Sequence, residues 1–319
     1  MHVLFIDTVH PFLKESLSKN GYVIHEGYDL TLEECADFFL SHEGGLVIRG
    51  RFNLDRQWLL SARGLKFIAR FGSGMEHIDL ACASTLGIHC LSSPEGNRDA
   101  LGDHCLGMLL MLLNKLHLVN EDVRNGIWQR EENRGTELGS LKVAIIGYGN
   151  MGSAFAKRLS GFDCEVLVHD PNKTDLTFPS SFFRQVLMDE IFEKADVVSY
   201  HVPLNEETLG LVNRDYLMRF KNPIILINSS RGPVVQTSAL LNGFSCGIIR
   251  GACLDVLDFE ESNFESLQTL NKNPDWQQLI ARNDVVLSPH IAGWSHQSNL
   301  KMAQILLKKI LALPQKKSP

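Results

Sequence analysis

Short apolar runs alternate with amphipathic stretches along almost the whole chain. In the first part the apolar runs fall at Val3–Asp7, Tyr22–His25, Leu46–Ile48, Lys66–Ala69 and Ile88–Leu91. Helical periodicity lies between them, near Pro11–Lys19, Leu32–Leu40, Asp55–Ala62 and Asp79–Leu86. Strands that alternate with helices, and that are apolar on nearly every residue, predict a parallel sheet covered on both faces. A long apolar helix is predicted over Asp99–Leu118, and a polar, tryptophan-containing stretch without clear period over Glu121–Leu138. The alternation then restarts, with strands predicted at Lys142–Ile146, Glu165–His169, Val197–Tyr200, Ile224–Asn228, Gly251–Leu254 and Val285–Leu287. A last helix, Gln297–Leu311, suits either unit by its pattern alone. The pattern thus predicts two doubly wound α/β units joined by a helix.

Composition narrows the partners. The 319 residues are 44% hydrophobic and 21% charged, enough for two separate cores. A formal net charge of −6 argues against a general nucleic-acid or anionic-membrane binder. The longest apolar stretch, Cys105–Leu113, falls short of the roughly 20 residues that a bilayer requires. Seven cysteines stand singly at 35, 82, 90, 105, 164, 246 and 253, without a CxxC pair. That spacing predicts reduced thiols in a cytoplasmic protein, with neither a disulfide framework nor a metal site. Met1–Asp7 has no basic segment and meets a charge too early to read as a signal peptide.

The most specific motif is Gly147-Tyr148-Gly149-Asn150-Met151-Gly152, directly after the apolar run that ends at Ile146. Gly147 allows a tight turn, Gly149 lets the backbone approach a pyrophosphate, and Gly152 permits close helix–strand packing. A helix beginning near Asn150 offers free N–H groups and a positive dipole end to phosphates. Asp170 closes the next predicted strand, about 20 residues beyond the first glycine. A carboxylate there accepts from both ribose hydroxyls and repels a 2′-phosphate, which favours NAD over NADP. Lys173 stands close enough in sequence to soften that preference.

Three later segments place polar residues where predicted strands end. They are Asn228-Ser229-Ser230-Arg231-Gly232, Asp255-Val256-Leu257-Asp258-Phe259-Glu260, and Ser288-Pro289-His290-Ile291-Ala292-Gly293. Ligands of such sheets bind at the carboxyl ends of strands, so Arg231, Glu260 and His290 are predicted to converge beside the nicotinamide. Hydride transfer at a 2-hydroxy acid needs a proton moved at the same carbon's oxygen, which suits histidine. A carboxylate beside an imidazole orients the ring and stabilises its cation. A guanidinium clamps a carboxylate in bidentate fashion and polarises the adjacent carbonyl.

On these residues the chain resembles the D-isomer-specific 2-hydroxyacid dehydrogenase family over nearly its whole length. Phe71-Gly72-Ser73-Gly74-Met75-Glu76-His77-Ile78-Asp79-Leu80 is similar to the family's glycine loop, and Gly87-Ile88-His89-Cys90 to its following strand. Asn97-Arg98-Asp99-Ala100-Leu101-Gly102-Asp103-His104 resembles its Ala-Glu-His helix start, and Arg124-Asn125-Gly126-Ile127-Trp128 its arginine–glycine–tryptophan segment. His201-Val202-Pro203-Leu204, with Thr208, resembles a further cofactor-side signature. The resemblance implies a flavodoxin-like substrate domain, residues 1–98 and 295–319, and a Rossmann NAD-binding domain, residues 99–294, with a cleft between them. It implies that Arg231 binds the substrate carboxylate and carbonyl, that His290 is the general acid/base and that Glu260 is its partner. Ser73 and Gly74 are implied to offer backbone N–H groups to the substrate. Asn150 and Met151 are implied to lie under the pyrophosphate, while His201, Val202, Pro203 and Thr208 line the adenosine side. Ser229, Asp255 and Gly293 are implied near the nicotinamide. A homodimer through the long helix and the Trp128 segment is implied as well.

Some positions depart from the family pattern. Gly102-Asp103 replaces the usual Ala-Glu, Asn114-Lys115 stands where an arginine is frequent, and Glu261 follows Glu260 where proline is common. The acid Glu76 in the glycine loop is unusual too. Oxidation of phosphoglycerate, reduction of glyoxylate or hydroxypyruvate, and D-lactate-type chemistry stay open within the family. A non-catalytic NAD-sensing protein and another Rossmann-type transferase are the rivals outside it.

Overall fold

The computed structural model describes residues 1–260 and 273–314; Glu261 and the tail from residue 315 lie outside the described residues. The first strands are β1 (His2–Phe5), β2 (Val23–Glu26), β3 (Gly44–Ile48), β4 (Leu65–Arg70) and β5 (His89–Ser92). Between them run α1 (Pro11–Lys19), α2 (Leu32–Ser41), α3 (Arg56–Ser61) and α4 (Leu80–Thr85), and then come α5 (Pro94–Leu113) and α6 (Leu116–Arg124). The second set of strands is β6 (Lys142–Ile146), β7 (Glu165–His169), β8 (Phe183–Gln185), β9 (Val197–Tyr200), β10 (Ile224–Asn228), β11 (Ile249–Leu254) and β12 (Val285–Leu287). Its helices are α7 (Asn150–Leu159), α8 (Met188–Lys194), α9 (Arg214–Leu217), α10 (Thr237–Ser245) and α11 (Pro274–Ile280); α12 (His296–Leu311) comes last. The chain divides into two compact units, one of Met1–Arg98 with the stretch from Trp294, the other of Asp99–Gly293.

The first unit holds a parallel sheet of order β2-β1-β3-β4-β5, the flavodoxin-like arrangement. Successive side chains of a strand point to opposite faces, so both faces need cover. Leu4, Ile6, Leu46 and Ile48 pack with Cys35, Phe39 and Trp58 on one face. Val3, Phe5 and Val47 pack with Leu13 and Leu17 on the other, where Met302, Leu306 and Ile310 of α12 join them. The last helix therefore belongs to this unit, a matter that its amphipathic pattern leaves open. A capping box opens it: Ser298 N–H donates to Ser295 Oγ, and Ser295 N–H to Ser298 Oγ.

The second unit holds a seven-stranded parallel sheet of order β12-β11-β10-β9-β6-β7-β8. Val143 and Ile145 enter one core and Ala144 and Ile146 the other. Strand order reverses between β6 and β9, and a doubly wound sheet binds its ligand in the crevice at that switch point.

Two elements differ from the pattern-based expectation. The long helix starts at Pro94, where proline suits a first helical position, and it stops at Leu113. Lys115 takes a left-handed conformation (φ +54°) that ends one helix before α6 begins. The short strand β8 pairs with β7 through Val166 and Phe183 and has too little apolar sequence to announce itself. Leu306 is fully buried among the core residues of the first unit. Leu306→Ala should cost about 2–5 kcal/mol, read as a lower midpoint in urea denaturation.

Candidate active site

Strand β6 ends at Ile146, the backbone turns through Gly147 (φ +89°), and α7 begins at Asn150. A Cβ on Gly152 would stand 2.0 Å from the Gly147 carbonyl oxygen, so only glycine allows α7 to seat this close to the turn. The N-cap Gly149 brings no side chain, and a Cβ there would meet nothing within 4 Å. The first amides of α7, on Asn150, Met151 and Gly152, have no acceptors within the helix. Such a turn fits a pyrophosphate.

Asp170 follows β7 directly. Its Oδ2 accepts from Tyr148 N–H at 2.9 Å and its Oδ1 from Asn172 N–H at 3.0 Å. Each oxygen keeps a second lone pair, enough to accept two ribose hydroxyls. Lys173 Nζ donates to the Tyr148 carbonyl at 2.7 Å, which fixes this cation beside the same turn.

Beyond β9 the nucleotide-side residues divide by exposure. The His201 ring is buried, packs on Phe155 at 5.6 Å between centroids, and lies with Nε2 2.8 Å from Ser199 Oγ. Its Nδ1 has no hydrogen-bond partner among the described residues, and burial holds its pKa down to about 3. The ring is thus a neutral part of the interior, and only the backbone at 201 reaches the turn, donating to the Ile146 carbonyl at 2.8 Å. Val202 is half-buried and Pro203 exposed. The Thr208 hydroxyl donates to the Pro203 carbonyl at 2.6 Å and accepts from Asn205 N–H at 2.9 Å, which shapes the loop.

Strands β10, β11 and β12 are neighbours, and their carboxyl ends carry the Arg231, Glu260 and His290 segments. Buried Asn228 builds the first: its Oδ1 accepts from Ser230 N–H and Oγ–H, and its Nδ2 donates to the Arg231 carbonyl at 3.0 Å. Arg231 Nη1 donates to the Ser230 carbonyl at 2.6 Å. A Cβ on Gly232 would stand 1.7 Å from the Leu257 carbonyl oxygen, so this loop abuts the one that leads to Glu260. Asp258 is engaged rather than merely solvated, accepting from Thr237 N–H and Oγ1–H at 2.9 and 2.6 Å. Glu260 Oε1 and His290 Nδ1 lie 3.1 Å apart, and both side chains are partly exposed.

Asp255 is buried, 1% exposed, at the end of β11. Its carboxylate accepts from Ser288 Oγ–H at 2.6 Å, Ile291 N–H at 2.9 Å and Ala292 N–H at 2.8 Å. One lone pair on Oδ2 is left for a further donor. Ser229 is buried too, and its Oγ accepts from the Cys105 thiol, whose pKa burial pushes up to about 12. Gly293 is half-buried at the end of the segment that carries His290.

In the first unit, Ser73 and Gly74 follow β4 in a loop where Gly72 has φ +146°. Ser73 Oγ–H donates to Asn97 Oδ1 at 2.8 Å, and Glu76 is exposed. Among the described residues no group of three or more His, Cys, Asp and Glu is placed to hold a metal ion, and no helix is long and apolar enough to cross a membrane.

Sequence reasoning includes Asn228, Ser288 and His104 in its motif segments but gives none of them a role of its own. An asparagine at a strand end is a readable turn signal. His104 Nε2 lies 2.8 Å from Ser288 Oγ, but the two stand far apart in sequence and only the fold joins them.

Residues 106–292 match the family described as D-isomer specific 2-hydroxyacid dehydrogenase, NAD binding domain. The chain is 27% identical to D-3-phosphoglycerate dehydrogenase of Archaeoglobus fulgidus over 311 residues, covering 98% of this chain and 57% of that protein. It therefore spans little more than half the length of that relative. It is 32% identical to glyoxylate reductase of Thermofilum pendens over 267 residues, covering 82% and 75%. The crystal structure of the TT0316 protein from Thermus thermophilus superposes with a TM-score of 0.80 at 30% identity, covering 98% and 96%.

Two measurements test this geometry. Gly152→Ala should overpack the turn at a cost of about 1–3 kcal/mol in stability, and the displaced amides should weaken NADH binding by at least about tenfold, or about 1.4 kcal/mol, in a fluorescence titration. His201 is neutral in the fold and protonates near 6.5 once unfolded. Its contribution to stability is therefore complete above pH 6.5 and declines as pH falls toward 3. Urea midpoints at pH 7 and pH 5 should differ less in His201→Gln than in the parent.

Proposed function

Because this chain belongs to the D-isomer specific 2-hydroxyacid dehydrogenase family, we propose that it interconverts a D-2-hydroxy acid and its 2-keto acid with NAD. The observation that carries the reading is the 3.1 Å contact between His290 Nδ1 and Glu260 Oε1 at the carboxyl ends of β11 and β12. A carboxylate accepts only, so Nδ1 carries a proton toward Glu260 and Nε2 becomes the atom that gains or gives the catalytic proton. In reduction, Nε2–H protonates the oxygen that develops negative charge; in oxidation, neutral Nε2 takes that proton back. The planar guanidinium of Arg231 holds the substrate carboxylate and stabilises the developing alkoxide. Ser73 and Gly74, in the loop after β4, are our candidates for backbone N–H donors to a substrate carboxylate.

The residues at the β6–α7 turn fit the coenzyme. Asn150, Met151 and Gly152 supply amides for the pyrophosphate and Asp170 accepts the ribose hydroxyls, which supports NAD over NADP. When bound, NAD supplies or accepts the hydride. Asp255 keeps one acceptor position, suited to a carboxamide N–H, with Ser229 and Gly293 nearby in the sequence of strand ends.

The exposed apolar surface of α6 and the stretch after it supports a homodimer. Leu116, Val123, Ile127 and Trp128 are exposed, Trp128 to 79%, and no residue of α6 is buried. A second copy covering this apolar surface is the natural occupant. All seven cysteines are unpaired, which supports a reducing, cytoplasmic setting.

NADH oxidation across phosphohydroxypyruvate, hydroxypyruvate, glyoxylate and pyruvate tests the reading and identifies the side chain accepted. Coenzyme affinity without turnover on any of them would favour a sensing protein instead. His290→Ala should lower kcat by about 10²- to 10⁴-fold while NADH binding persists. Unchanged turnover in that variant would sink the assigned role.

A further inference from the structure

We propose that Asp255, Ser288 and His104 form a positioning brace that holds the general acid/base His290 in its working geometry; the proposal rests on the reading above. His290 has φ +54°, a left-handed backbone uncommon for a residue with a side chain, so the surroundings must impose it. Besides the Glu260 contact and a 3.1 Å bond from His290 N–H to the Ser288 carbonyl, the nearby fastenings lead to Asp255. The His290 N–H donates to the Asp255 carbonyl at 2.8 Å, and the Asp255 carboxylate takes Ile291 N–H and Ala292 N–H just beyond. On the other side of His290, Ser288 Oγ–H reaches the same carboxylate at 2.6 Å. A desolvated carboxylate must be hydrogen-bonded, so these contacts cannot be given up cheaply. They pin the segment before and after the histidine to one buried group.

The outer end of the brace is His104, one helical turn before Met108 on α5. A serine hydroxyl has a single proton, and Asp255 needs it. Ser288 Oγ must then accept from His104, which fixes the proton on His104 Nε2 at 2.8 Å. The chain His104 Nε2–H, Ser288 O–H, Asp255 carboxylate is thus polarised in one direction. It connects helix α5 to the loop of the catalytic histidine without touching the His290 ring. Asp255 also begins the segment that carries Glu260, so one anchor sets the histidine's backbone and starts the strand-end loop of its ring partner.

The test compares Ser288→Ala, Ser288→Thr and His104→Leu with His290→Ala in the full chain. Expected for Ser288→Ala is a kcat loss approaching 100-fold, as for an acid/base displaced by an ångström. The keto-acid KM and the NADH dissociation constant should stay within about threefold, well under the 1.4 kcal/mol that a tenfold change represents. Its pH profile of kcat/KM should shift toward that of Glu260→Gln, and Ser288→Thr should restore both kcat and profile. His104→Leu should reproduce the direction with a smaller loss. A Ser288→Ala enzyme with parental kcat and profile overturns the proposal, as does one whose kcat falls only in step with NADH binding. If His290→Ala itself retains full turnover, the catalytic reading fails instead, and the two failures are thereby told apart.

Discussion

A buried carboxylate must find donors, and that demand at Asp255 organises the loops at the carboxyl ends of β11 and β12. Water cannot satisfy it, since the residue is almost fully enclosed at the end of β11. Its partners are therefore backbone amides and a hydroxyl from the segment after β12. Desolvation thereby becomes a geometric constraint: the neighbouring loop closes onto the carboxylate, and the histidine between the anchored positions has little freedom left. Asn228 does the same for Arg231 one strand away, with its amide spanning the turn from Ser230 to Arg231. Polar side chains at strand ends are here a scaffold for the loops that carry Arg231 and His290.

Parallel strands explain why so many of these groups share one edge. Every strand of the second sheet runs the same way, so every carboxyl end opens on the same side. The glycine turn and Asp170 follow strands directly, and Arg231, Glu260 and His290 stand three to six residues beyond the ends of β10, β11 and β12. Close approach does the rest, through Gly152 at the nucleotide turn and Gly232 between the arginine and glutamate loops.

The strands and the nucleotide turn were legible in the sequence because their signals are local. Lys142–Ile146 followed by three spaced glycines can be read in one glance, and β6 occupies those same residues. What could not be read depends on distance or on a single backbone angle. Lys115 ends α5 by taking a positive φ, which its side chain does not announce. The short strand β8 carries one buried apolar residue, Phe183, and is placed by its pairing with β7. His104 and Ser288 look ordinary apart, and the hydrogen bond that gives them meaning spans most of the chain. The buried ring of His201 shows the converse. A cofactor-side motif can place one of its members into the interior, where it packs rather than reads the ligand.

The discontinuity of the first unit bears on how the polypeptide is made. Its sheet face over Val3, Phe5, Leu13 and Leu17 is finished by α12, from the opposite end of the sequence. During vectorial synthesis the intervening unit emerges whole and is free to fold while that face still lacks its cover. A ribosome-bound nascent chain would then display a sticky apolar surface until α12 clears the exit tunnel, a natural interval for chaperone engagement.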